Sequence, residues 1–346
     1  MIDVKRTVLA KTEYPPYAVR ESMLDGKRVY LSMPGGLGEA ILCVPGQEPR
    51  PLWDDSGTMS IVPDPDRDDC RRLFVTRGFY PGTNAPGTYI DCAQMQDDGS
   101  WKMTQVLKKP FIHRHDVVRV GNTRSIIFCN LAEWKNNKED WSEPGGIYVA
   151  RLREDNTADE ITCIQKGIFK NHGFHRTVWN GCEAVIITGQ EGAFVVSFDN
   201  EDPTKWSVEH IIDGEISEMC DFDIDGDGEK ELAIIEIFHG SVFSVLKKIN
   251  GKYQKVYSHS GLERCHALWG GVFDGERVFI AGNMAGTKQL LAFSCKTGEN
   301  PFDMFVQELD AGGGPSNFSV FREGTKDCIL SANWAAHEVV LYETKG

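Results

Sequence analysis

The carboxylates most able to do chemistry lie in one stretch, DFDIDGDGEKELAIIE, from Asp221 to Glu236. Asp223, Asp225, Asp227 and Glu231 fall at positions 1, 3, 5 and 9 of a short loop, with Gly226 and Gly228 between them. Alternate carboxylates around a glycine-permitted turn suit a hard cation such as Ca²⁺, which takes roughly six to eight oxygen ligands. An EF-hand would run on into a helix. Here the apolar run Leu232-Ala-Ile-Ile235 follows at once, so the loop is expected to join two strands and its ion to be structural.

Histidines form the second set. Of nine, six fall where extended stretches begin or end: His113, His115, His172, His175, His239 and His266. His210 and His259 sit in outer, polar connections. Imidazole passes protons near neutral pH and binds transition metals. Three or four converging from different parts of the chain would serve either job, including a second divalent metal. For any one of them, a structural hydrogen bond is the alternative. Arg114, Arg176 and Arg264 lie beside these histidines, and Arg77 ends a strand-like run. A guanidinium fork matches carboxylate or phosphate. Strand alternation keeps Arg114 and His115 from facing the same way.

What must position these residues is a repeat. The strand ELAIIEI at Glu231 has relatives: RVYLSMP at Arg28, RLFVTRG at Arg72, SIIFCNL at Ser125, AVIITGQ at Ala184, RVFIAGN at Arg277 and CILSANW at Cys328. These seven copies are spaced 44, 53, 59, 47, 46 and 51 residues apart. A second strand, usually opened by glycine, follows each, as in GGIYVAR and GAFVVSF. Another extended stretch precedes each, and polar connections such as WKMTQVLKK add a fourth. No long helical periodicity competes. Four strands per unit, seven times over, predict an all-β, seven-bladed β-propeller occupying residues 1–346 as one domain. The last copy shows three strands, and VKRTVLAKT near the N-terminus is expected to supply its fourth.

In such a fold the histidines above would gather at the mouth of the central channel. Ends of the repeated strands add Arg77, Asn130, Gln190, Glu236, Asn283 and Asn333, with His337 just beyond. The longest insertions, around Tyr80–Gly87 and Ala132–Gly146, bring Phe79, Tyr80, Trp134 and Trp141 as expected pocket walls.

Composition narrows the classes. A net charge of −14 over 346 residues argues against nucleic acid or an anionic membrane as partner. No apolar run reaches the ~18 residues of a membrane span. Ten cysteines are spread without a CxxC pair, mostly inside apolar strands, so free buried thiols in a reduced, cytoplasmic setting are expected. No signal-peptide pattern is visible in MIDVKRTVLAKTEY. There is no G-x-S-x-G elbow, P-loop or Rossmann fingerprint.

The loop from Asp223 to Leu232 resembles the FG-GAP/VCBS repeat, D-x-[DN]-G-D-G-x-x-[DE]-L, with Glu231 where Asp is usual. With seven blades and histidines at strand starts, the chain is similar to propeller-fold sugar-cleaving enzymes. These are the aldos-2-ulose and anhydrofructose dehydratases and the rhamnose–glucuronate lyases. The resemblance implies β-elimination from a sugar or uronate, with structural Ca²⁺ on the loop and a sugar or oligosaccharide as partner. His115 or His175 would then remove a proton beside a carbonyl or carboxylate, and His266 or His172 would protonate the leaving oxygen. Arg77, or a divalent metal held by histidine and Glu236, would stabilise the enolate. Tyr80, Trp134, Asn130, His239, Asn283, Asn333 and His337 would line the substrate. A glycoside hydrolase using the same channel, or a non-catalytic binding scaffold, are the alternatives.

Overall fold

The structure, a computed structural model, describes residues 1–54, 57–80, 87–199, 202, 204–296 and 302–346. Among them there is no helix, and 28 strands form seven four-stranded antiparallel sheets. The chain is a seven-bladed β-propeller. By contacts it divides into two compact units, residues 1–19 with 215–346, and residues 20–214.

The 20–214 unit holds most of the first blade, through Trp53, and the blades at 61–108, 112–168 and 173–213. The second strand of each blade is the apolar run of the repeat, and its burial explains the composition. Leu73–Val75, Ile126–Cys129 and Val185–Ile187 are all shielded from solvent. A strand covered on both faces has no reason to alternate. Outer strands are more exposed: along Trp101–Lys108 only Val106 and Leu107 are buried, while Lys102, Gln105 and Lys108 face water. Glycine opens the third strands because neighbouring backbone comes too close for a side chain. A Cβ on Gly145 would run into the Asn130 carbonyl, and one on Gly192 into that of Ile212.

The other unit holds the blades at 216–260, 265–310 and 315–344. Its last blade is completed from the opposite end of the chain. Strand Val4–Lys11 pairs antiparallel with Glu338–Thr344, from Val4↔Thr344 to Lys11↔Glu338. The seam is fastened by polar groups. Asn333 Nδ2 donates to the Tyr342 hydroxyl at 3.0 Å, which donates to Asp310 at 2.5 Å. Arg6 pairs with Asp310 and with Glu338.

All ten cysteines are free thiols, most of them buried. Burial pushes Cys43 up to about 12 and Cys92 to about 11, so both stay protonated and inert. Of the expected pocket walls, 81–86 lie outside the described residues, while Phe79 is buried and Tyr80 half-buried.

Candidate functional site

In the unit of residues 1–19 and 215–346, a strained turn carries the first candidate. Ile237 and His239 both hold left-handed φ angles, 57° and 52°. A β-branched residue in that region is an outlier, and such conformations persist only where neighbours over-determine them. The neighbours are specific. Ile237 N–H donates to the Glu215 carbonyl at 2.9 Å and Phe238 N–H to the Glu215 carboxylate at 3.1 Å. His239 N–H donates to Ser217 Oγ at 3.2 Å. Phe238 stacks on the His239 ring with centroids 4.0 Å apart.

Against this turn lies His266, at the start of strand Cys265–Phe273. The two imidazole centroids are 5.2 Å apart, and each ring offers a nitrogen within 4.8 Å of the other. His266 Nδ1 is 2.7 Å from the Ser316 carbonyl, and Nε2 is 3.0 Å from the Tyr17 hydroxyl. A carbonyl only accepts, so Nδ1 carries the proton. When the ring is neutral, its lone pair therefore lies on Nε2, where Tyr17 O–H donates. His266 and Tyr17 are almost fully buried, and His239 is half-buried. A histidine whose second nitrogen is fixed by a carbonyl is also the kind that binds metals. The pair could hold a metal ion.

The 20–214 unit gathers its own histidines. The His113 and His172 rings lie 4.3 Å apart, and Phe79 meets His113 edge-on at 5.7 Å. His113 Nδ1 is 3.3 Å from the His172 carbonyl. His175 is half-buried on strand Gly173–Trp179, opposite Ile186. His115 is wholly enclosed: Thr76 Oγ1 lies 2.8 Å from Nδ1 and the Phe74 carbonyl 3.2 Å from Nε2. Burial drives its pKa down to about 3, against a smaller upward pull from the Phe74 carbonyl. Such a ring stays neutral and reaches no solvent.

Several other expected site residues have structural partners. Arg77 donates to Asp91 at 3.0 Å and to the Asp54 carbonyl at 2.9 Å. Asn130 ties the loop after its strand, donating to the Ala132 carbonyl at 2.8 Å and accepting from Gly146 N–H at 2.9 Å. Asn283 does likewise with Glu263 N–H and Thr287, and Asn333 with Ser331 and Tyr342. Glu236 accepts from Ser244 and from Lys255. His337 is exposed and lies 3.1 Å from the Glu13 carbonyl. Trp134 is exposed on its loop, where Lys135 Nζ sits 3.5 Å over the Trp141 ring.

The acidic loop folds as the sequence suggests, between strands Ile216–Phe222 and Glu231–Glu236. Asp223, Asp225 and Glu231 each bring an oxygen within 4.8 Å of the others. The space they face holds an ammonium. Lys247 Nζ lies 2.8 Å from Asp225, 2.7 Å from Asp227 and 2.7 Å from Glu231. Burial alone would lower the Lys247 pKa, yet these three hydrogen bonds leave it raised. As they stand, the carboxylates do not fit a calcium ion, because an ammonium already sits among three of the four.

No protein-family model matches this chain, and no curated protein matches it. Solved structures do. The soluble aldose sugar dehydrogenase of Escherichia coli, in its apo form, is 15% identical, with 99% of each chain covered and a TM-score of 0.52. The periplasmic gluconolactonase of Pseudomonas aeruginosa is 12% identical, covering 99% of this chain and 96% of that one, with a TM-score of 0.55. BBS1N, solved in complex with ARL6DN, is 11% identical over 99% and 95%, with a TM-score of 0.58. The likeness is one of fold, which hosts both sugar-processing enzymes and a protein solved with a protein partner.

Tyr17 was not among the residues singled out by sequence. It stands at the start of the first blade's first strand, Pro16–Leu24. In the repeat that is the position His266 holds in a later blade, so aligning the first copy with the rest would have found it.

Proposed function

We propose that this chain is a carbohydrate-active enzyme of the lyase or dehydratase type, in which Tyr17, His239 and His266 move the protons. The observation that carries the reading is the hydrogen-bonded series from Tyr17 O–H to His266 Nε2, and from Nδ1–H to the Ser316 carbonyl. A hydroxyl already donating to a neutral imidazole is a base in waiting. Its oxygen takes a proton from the sugar carbon beside a carbonyl or carboxylate, while its own proton passes to Nε2. The imidazolium formed keeps Nδ1–H on the Ser316 carbonyl. His239, protonated, gives its proton to the departing oxygen as the carbon–oxygen bond breaks, so a C–H and a C–O bond become a double bond and a hydroxyl. Arg77 is paired with Asp91, and this reading gives it no step.

A divalent metal on His239 and His266 would compete with Tyr17 for the Nε2 lone pair, so relay and metal exclude one another at that atom. Fold neighbours that process sugars support the substrate class, and the resemblance to propeller lyases supports elimination. A reduced, cytoplasmic setting belongs to the same reading, given ten free thiols.

The test is turnover of rhamnose–glucuronate oligosaccharides and anhydrofructose, followed by the ultraviolet absorbance of the unsaturated product. Tyr17→Phe and His266→Gln are each expected to lower kcat/KM by about 10²–10⁴-fold while circular dichroism stays that of the parent. An inert parent, or a Tyr17→Phe variant as active as the parent, would overturn the reading.

A further inference from the structure

We propose that Lys247 replaces the calcium ion of the 223–231 loop, making it a metal-independent fastener built on a calcium-loop sequence. An ammonium has three N–H donors and no acceptor. Lys247 aims all three at carboxylate oxygens, Asp225 Oδ2, Asp227 Oδ2 and Glu231 Oε1, at 2.8, 2.7 and 2.7 Å. The match between donors and acceptors is complete.

The outward oxygens are occupied too. Asp223 Oδ1 accepts from Gly226 N–H at 2.8 Å, and Oδ2 accepts from Gly228 N–H at 3.2 Å and from Arg277. Asp225 Oδ1 accepts from Asp227 N–H at 3.3 Å, and Asp227 Oδ1 from Glu229 N–H at 2.9 Å. Glu231 Oε2 accepts from Ile224 N–H at 3.0 Å. Every carboxylate oxygen of the four residues already accepts a hydrogen bond. A calcium ion needs several of these oxygens at once, and it would have to expel a like-charged ammonium from among them.

The placement follows from strand register. Leu232 pairs with Leu246 on strand Val242–Ile249, so the next residue, Lys247, stands beside Glu231 across the hairpin. Its side chain is 18% exposed and that of Glu231 is fully buried, so the pair is shielded from the salt that weakens surface ion pairs. Arg277 arrives from the following blade, where its Nε also donates to the Asp223 carbonyl at 2.8 Å. Lys247 thus closes the loop on its own blade, and Arg277 fastens it to the next.

Thermal unfolding and elemental analysis of the full chain test the proposal. The parent is expected to hold well under one calcium per molecule after purification in calcium buffer. Its Tm should shift by less than about 1 °C between excess CaCl₂ and EDTA. Lys247→Met keeps the stem and removes the donors. It is expected to melt at least about 5 °C lower in EDTA and to regain much of that with CaCl₂. Stoichiometric calcium in the parent, or a Tm that climbs several degrees with CaCl₂, would overturn the proposal. So would a Lys247→Met variant as stable in EDTA as the parent. The parent measurements stand alone should the variant fail to fold, and none of them depends on enzymatic activity.

Discussion

Histidines near the starts of repeated strands end in different surroundings. His115 is sealed between Thr76 and the Phe74 carbonyl, with its pKa driven to about 3 by burial. Its unfolded value is near the ordinary ~6.5. Between these limits the unfolded chain binds a proton that the folded one does not, so stability falls as pH drops from about 6.5 towards 3. Above that window His115 contributes no pH dependence. The slope from this one group is at most about 1.4 kcal/mol per pH unit. A His115→Asn variant is expected to show a shallower loss in urea titrations between about pH 6 and 4, though it will be less stable at pH 7. An unchanged slope would show that His115 is not the acid-sensitive group. By contrast, His266 meets the Tyr17 hydroxyl at Nε2, and it is on that contact that the proposed proton relay rests.

Elements were legible where periodicity alone decides them. The strand ELAIIEI and its six relatives are the second strands of the seven blades, and VKRTVLAKT does pair with the last blade. What could not be seen was pairing between side chains far apart in sequence. Asn130, Asn283 and Asn333 look like a polar rim in a row of letters, yet the first two tie down the turns beside them and the third bonds across to Tyr342 on the next strand. Lys247 lies 16 residues beyond Glu231, outside the loop motif, and only strand register brings the two together. Asp64 shows the same logic between blades. Its buried Oδ2 accepts from Arg72 of its own blade and Arg124 of the next, both at 2.9 Å, while Oδ1 accepts from Asp66 N–H at 3.0 Å. Removing it leaves two guanidinium groups facing each other with no carboxylate between them. Asp64→Ala is expected to lower stability by about 3 kcal/mol, read as a lower urea midpoint with unchanged m. A loss below about 0.5 kcal/mol would mean the pair behaves as an ordinary surface contact.

The molecule as a whole carries a net charge of −14 at neutral pH, with a sequence pI near 5.1. Its self-repulsion should keep it dispersed at pH 7 and fade on acidification. Solubility is expected to pass through a minimum near pH 5 and to recover on the acid side if the fold survives; turbidity against pH reads this directly. A minimum well away from pH 5 would point to exposed apolar surface rather than charge as the controlling factor. The last blade imposes a condition of another kind, in time. A ribosome makes strand Val4–Lys11 more than 300 residues before its partner Glu338–Thr344. At about 5–20 residues per second the early strand waits roughly 15–65 s for its mate. During that interval it is a free β edge, and Lys5, Arg6 and Lys11 give it the charge that discourages a stranger from pairing with it. The lysines that look like surface decoration in the finished fold, and the arginine that fastens its seam, are on this view also what keeps the nascent chain single until it can close.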